Sequence, residues 1–145
     1  MGQPSGLWRR IAAILYDSLL LAALWFLATM PFIAIQGGES LESSSGQLHF
    51  VYQLTLAIVA YAFFVGFWAA KGRTLGMQSW GLQLESMDGS VPRFGPATIR
   101  FFAAPLSWAA LGLGFLWQLW DPEQLTWHDR LSNTRLVHYP RQSKN

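Results

Sequence analysis

The sequence predicts an all-α polytopic membrane protein. Two full transmembrane helices are followed by a third apolar segment (re-entrant half-helices or a third span) and a small cytoplasmic β-hairpin or three-strand element. Three observations predict this class. Of the 145 residues, 52% are hydrophobic and only 12% are charged, against about a quarter charged in an ordinary soluble domain. Eight Trp and ten Phe are too many for the core of so small a water-soluble chain to hide, whereas hydrocarbon solvates them and the headgroup region takes Trp. Three apolar stretches, near residues 11–32, 50–70 and 99–120, are separated by polar segments. The length suits one domain, so residues 1–145 are read as a single membrane domain.

The first span runs from about Ile11 to Phe32. Crossing roughly 30 Å of hydrocarbon at 1.5 Å per residue takes about 20 residues, and this run supplies them. Arg9 and Arg10 precede it, as in a secretory signal. The run is nonetheless longer than a cleavable core of roughly 7–15 residues, it contains Asp17, and no small-x-small site closes it. It is therefore expected to be retained. Pro31 is expected to mark its end. The segment Gln36 to His49 is polar and holds Glu39 and Glu42 but no Lys or Arg.

The second span runs from about Phe50 to Ala70, with Lys71 and Arg73 directly after it. Lys and Arg accumulate in cytoplasmic loops. By that rule Arg9, Arg10, Lys71 and Arg73 lie inside and the acidic loop lies outside. Ala62, Gly66 and Ala70, at four-residue steps, form a small-residue stripe that lets another helix approach, within the chain or from a second one.

Leu82 and Leu84 alternate with Gln83 and Glu85 before Asp88-Gly89, a hairpin signal. Val91 is expected to open the return arm and Pro92 to stop it. Thr134 to Tyr139 is β-prone and a candidate third strand. The stretch from Ile99 to Trp120 is long enough to span, yet Arg93 and Arg100 flank its start and Arg130, Arg135, Arg141 and Lys144 follow it. One crossing would put a basic set outside. Two half-helices turning near Gly112–Gly114 would keep both flanks inside, provided protein covers the turn. If the strand at Thr134 pairs with Leu82–Glu85, the re-entrant form is required.

Asp17 is the most informative single residue. A carboxylate at membrane depth costs several kcal/mol unless it is paired, wetted or protonated. Arg10 lies seven positions earlier, nearly two helical turns, so both side chains share a face about 10 Å apart along the axis. A proton or cation site and a buried anchor are the competing readings. His128-Asp129 follows the third stretch, where His128 is a candidate proton relay and Asp129 a candidate cap. There is no Cys, which excludes disulfides and thiolate sites. No metal or cofactor set stands out. A hydrolase using Ser79 or Ser107 with His128 has no local sequence support, so no enzymatic activity is expected. Lys71-Gly72-Arg73-Thr74-Leu75-Gly76 lacks the spacing of a nucleotide loop and is read as an anchor on anionic lipid.

Arg10 to Asp17 resembles the opening motif of the RDD family of membrane proteins, named for an arginine and two aspartates. Gly72-Arg73-Thr74-Leu75-Gly76-Met77, with Gly81-Leu82 and Asp88-Gly89, resembles its second motif, and His128 to Val137 its third. The resemblance runs from about Leu7 to Val137 and marks Arg10, Asp17 and Asp129 as the signature residues. Ser132-Asn133 stands where the family has a small Ala-Gly pair, and Gln78-Ser79-Trp80 replaces a more basic, aliphatic stretch. The resemblance implies small-solute transport, with exchange of a monovalent cation for protons as one form. The alternative is an accessory or scaffold subunit in which Arg10, Asp17 and Asp129 form a structural ionic clasp. Two or three helices cannot enclose a water path, so transport would need a homo-oligomer or a partner membrane protein. Membrane lipid is the other expected partner, nucleic acid is not, and a bacterial inner membrane with a cytoplasmic N-terminus is the expected location.

Overall fold

A computed structural model describes residues 2–38 and 45–140. Glu39 and Glu42 of the acidic loop and the terminal Arg141 and Lys144 lie outside the described residues. A two-residue strand β1 (Gln3–Pro4) leads into helix α1 (Leu7–Ile35), and α2 (Gly46–Lys71) returns beside it. Both helices are long and apolar enough to cross a membrane. Of the whole of α1 only Arg10, Ala13 and Asp17 are buried. The rest is an apolar surface that water would not solvate and lipid does.

Pro31 does not end α1, contrary to expectation. Its ring removes the bond to the Leu27 carbonyl, but the helix continues to Ile35 and closes through Gln36 N–H to Phe32 O at 3.2 Å. Proline is tolerated within membrane helices. Ser45 caps the start of α2, accepting from Leu48 N–H, and Gly72 ends it in the left-handed region at φ 66°. There a Cβ would sit 2.9 Å from the Leu84 carbonyl oxygen, so Gly72 serves both the helix cap and the close approach of the strand.

A short helix α3 (Leu75–Ser79) precedes β2 (Leu82–Ser86). The expected hairpin is corrected in its partner. Asp88-Gly89 does turn the chain, with Ser90 held by the Asp88 side chain at 2.9 and 2.6 Å. Val91 opens no strand, and buried Pro92 sends the chain into α4 (Phe94–Ala109). The place beside β2 goes to β3 (Thr134–His138), antiparallel, with Leu84 opposite Leu136 and Glu85 opposite Arg135. The sheet order is β1-β3-β2. Ala13, Val65, Trp68, Met77, Leu82, Leu84, Ala97 and Leu136 form the core, which lies at the sheet end of the helices.

The third apolar stretch is broken. Between α4 and α5 (Leu113–Leu116) the axis bends by 107°, with Leu111 and Gly112 in the left-handed region. A 3-10 turn (Trp117–Leu119) and helix α6 (Trp127–Leu131) complete the path to β3. Because β2 and β3 share one sheet, the segment between them begins and ends on the same side, and a single crossing is impossible. Neither arm of 16 or 4 residues reaches the roughly 20 needed to cross alone. The segment leaves and returns on the sheet side as a bent pair of helices, the path a re-entrant loop would take. Among the described residues nothing covers its elbow, where Leu111 is 90% exposed. The N–H groups of Gly112 and Leu113 instead bond the Trp108 and Ala110 carbonyls at 3.1 and 3.0 Å, which meets part of the backbone requirement locally.

Candidate functional site

The site is built on α6, whose sequence Thr-Trp-His-Asp forms a capping box. Thr126 Oγ1 accepts from Asp129 N–H, and the Asp129 carboxylate accepts from Thr126 N–H at 3.0 Å. The same carboxylate receives Arg10 Nη1 at 2.7 Å and Arg100 Nη1. Arg10 extends from the first turn of α1 and is steadied by Ser5 Oγ at 2.7 Å and the Gln124 carbonyl at 3.3 Å. Arg100 extends from α4, also donates to Thr134 Oγ1 at 3.2 Å, and stacks over the Trp68 ring of α2 at 5.5 Å. One carboxylate thus joins α1, α4 and α6, and through Thr134 the sheet. Asp129 is fully buried, and both arginines are nearly so.

Burial alone would raise the Asp129 pKa, but the Arg100 and Arg10 guanidiniums outweigh it and hold the carboxyl well below the usual range. His128 responds oppositely. Burial, then the nearby Arg100 charge, push it down to about 3, so its imidazole is neutral at ordinary pH. Its Nδ1 lies 3.2 Å from Ser107 Oγ and its Nε2 4.0 Å from Asp129. The Ser107–His128 pairing does form, but the serine is sealed from solvent, and an imidazole with so low a pKa is a weak base. Ser79 is exposed and bonds only the Leu75 carbonyl.

Asp17 shares the buried face of α1 with Arg10, as the seven-residue spacing requires. It does not join the ion pair. It accepts from Thr74 Oγ1 and from Gly76 N–H at 2.9 Å, so it docks the start of α3 onto α1. Contact is so close that a Cβ at Gly76 would lie 2.4 Å from the Ala13 carbonyl oxygen. A three-member clasp of Arg10, Asp17 and Asp129 is therefore not what forms. Arg100 takes the third place, and Asp17 makes a separate joint.

The Lys71–Gly76 block supplies that joint through Thr74, while Lys71 and Arg73 stay exposed. Ala62 and Ala70 are exposed and nothing lies within 4 Å of a Cβ at Gly66, so no described part of the chain packs on that stripe. The buried face of α2 is Ala60, Phe63, Val65 and Trp68. Arg100, Thr74, Ser5 and Thr126 were not singled out as partners from sequence. Arg100 had the available signal, a guanidinium one residue inside an apolar run.

A cavity of about 240 Å³ lies beside the joint, lined among others by Arg10, Asp17, Trp68, Arg100, Trp108 and His128. Its remaining wall is apolar, from Ile14, Phe64, Phe101 and Phe115. Among the described residues no three His or carboxylate side chains gather as a metal site. The RDD family model matches residues 4–133. No curated protein and no solved structure matches the chain.

Proposed function

The chain belongs to the RDD family, and from that premise we propose that it is a non-catalytic accessory or scaffold subunit of a membrane assembly. Its arginine–aspartate joint would act as a structural clasp. The observation that carries this reading is the saturation of Asp129, which spends both oxygens on Arg10, Arg100 and the Thr126 amide. A carboxylate held so firmly ionised is a poor carrier of protons or cations, because releasing its partners would strand buried charge. The exposed apolar faces of α1 and α2 would meet lipid and either a second copy or a partner membrane protein. The exposed Arg9, Lys71 and Arg73 lie at the sheet end, which we assign to the cytoplasmic side of a bacterial inner membrane by the positive-inside rule. Asp129→Asn and Arg100→Gln should each lower unfolding stability in detergent by about 3–5 kcal/mol. Wild-type stability in both would reject the clasp.

A second reading, exchange of a monovalent cation for protons by an oligomer, is favoured by one observation: Asp17 lines the cavity. Liposomes holding the protein under a pH gradient test it. Cation-dependent proton flux that disappears in Asp17→Asn would support exchange, and absent or unchanged flux would reject it.

A further inference from the structure

Around the cavity, donors outnumber acceptors. Both Asp129 oxygens and both Asp17 oxygens are engaged. Arg100 uses only Nη1, for Asp129 and Thr134. Its Nε and Nη2 meet no acceptor among the described residues. Trp68, 6% exposed, lies under the Arg100 guanidinium, and its indole N–H is buried with no acceptor. A buried donor left without a partner carries a desolvation cost. Both residues line the cavity.

The charges point the same way. Two buried guanidiniums share the single Asp129 carboxylate, and Asp17 is turned to Thr74 and Gly76. The missing group is an acceptor that carries negative charge.

The mouth decides which anion. Ile14 on α1 and Trp108 on α4 both line the cavity and are both exposed, so it opens between these helices on the lipid-facing flank. A soluble anion would have to enter past apolar side chains. The volume falls below the roughly 300–1,000 Å³ of pockets that enclose whole drug-sized ligands, so only part of the occupant sits inside. Asp17 stands about 15 Å along α1 from Leu7, which places the cavity within the leaflet nearest the sheet.

We propose that this cavity takes the headgroup phosphate of an anionic membrane phospholipid, bound by Arg100 and the Trp68 indole N–H, with the acyl chains leaving between Ile14 and Trp108. The site rests on the clasp reading, since Asp129 is what holds Arg100 in place.

The test is native mass spectrometry of the full chain in neutral detergent with equimolar phosphatidylglycerol and phosphatidylcholine of matched chains. Charge-assisted hydrogen bonds predict an anionic-lipid preference of about 10-fold. Ala104→Trp fills the cavity without removing any clasp residue, and Trp68→Phe removes one donor while keeping an aromatic ring beneath Arg100. Each should cut the preference several-fold; Ala104→Trp should do so at an unchanged melting temperature, whereas Trp68→Phe also gives up core packing and some stability. Ala104→Leu fills less and serves if the larger side chain impairs folding. Equal binding of the two lipids, or an undiminished preference in these variants, overturns the proposal. Inorganic phosphate that displaces the lipid and raises the melting temperature as much would assign the site to a soluble anion and overturn it as well. Asp129→Asn is the separate arm: it tests the clasp by melting temperature, whereas the Ala104 and Trp68 variants test the ligand by bound mass.

Discussion

Asp129 and Asp17 are both buried acids of the signature, and their surroundings predict different costs of removal. Asp129→Asn strands two guanidiniums in a low-dielectric interior, a loss of about 3–5 kcal/mol. Asp17→Asn keeps an oxygen for Gly76 N–H and gives Thr74 an amide to face, so its loss should be smaller, about 1–2 kcal/mol. Denaturant unfolding in detergent orders the two, and an equal or reversed order would contradict the separate joints. His128 supplies the pH dependence. Its folded pKa, about 3, lies below the ordinary 6.5, so the unfolded chain takes up the extra proton between those values. Stability from His128 is fully present above pH 6.5 and falls as pH drops toward 3, by up to about 1.4 kcal/mol per pH unit. Half-buried His138 is lowered too, by burial and then Arg9, so the informative variant is His128→Gln with His138 intact. It should flatten the decline between pH 6.5 and 4, and an unchanged profile would exclude His128 as its cause. At this scale the sequence marked Asp17 as costly at membrane depth and Asp129 as a candidate cap, and Asp129 does close the capping box of α6. The sequence did not show their partners, because Arg10–Asp129 and Arg100–Asp129 are pairings between distant segments that no local spacing encodes.

The elements were legible to different degrees for physical reasons. Helices α1 and α2 announce themselves by length and apolarity, but their buried faces do not, since lipid-facing and core-facing positions are equally hydrophobic. Hence the small-residue stripe of α2 suggests a face that the fold leaves open. Strand β1 has two residues and no periodicity to detect. The hairpin expectation followed the Asp88-Gly89 turn correctly and failed at its return arm, because pairing of β2 with β3 depends on the whole fold. Asn133 adopts φ 53°, a conformation at home with glycine, which accounts for the usual family residue there. Helix α3 approaches α1 closely at Gly76. Gly76→Ala would force a methyl group against the Ala13 carbonyl and should cost about 1–3 kcal/mol, as overpacking does. Gly66→Ala, with nothing within 4 Å, is the matched control and should be close to neutral. Thermal melts of the two variants compare them directly, and similar losses would mean that α3 does not dock on α1 as described.

For the whole molecule, the sheet dictates the path through the membrane. Strands β1, β3 and β2 come from before α1, after α6 and between α2 and α4. One sheet occupies one side, so α1 and α2 must together make a round trip and the third stretch must return to where it started. That constraint was conditional in the sequence, because basic residues flank the third stretch at both ends and only strand pairing excludes a single crossing. The absence of Cys makes the topology directly measurable with single introduced cysteines. Asp88→Cys beside β2 and Arg135→Cys on β3 are exposed and should react with a membrane-impermeant maleimide from the same side. Gln47→Cys at the start of α2 should react only from the other. Leu111→Cys at the elbow is the decisive position. A spin label there should be relaxed by oxygen dissolved in hydrocarbon more than by a water-soluble nickel chelate, because 90% of Leu111 is exposed and the neighbouring N–H groups are bonded within the turn. If the label met the chelate from the Gln47 side, the segment would cross and the sheet could not assemble as described. If it met the chelate from the Asp88 side, the half-helices would lie along the headgroups, and the cavity beside Arg100 would face water instead of acyl chains.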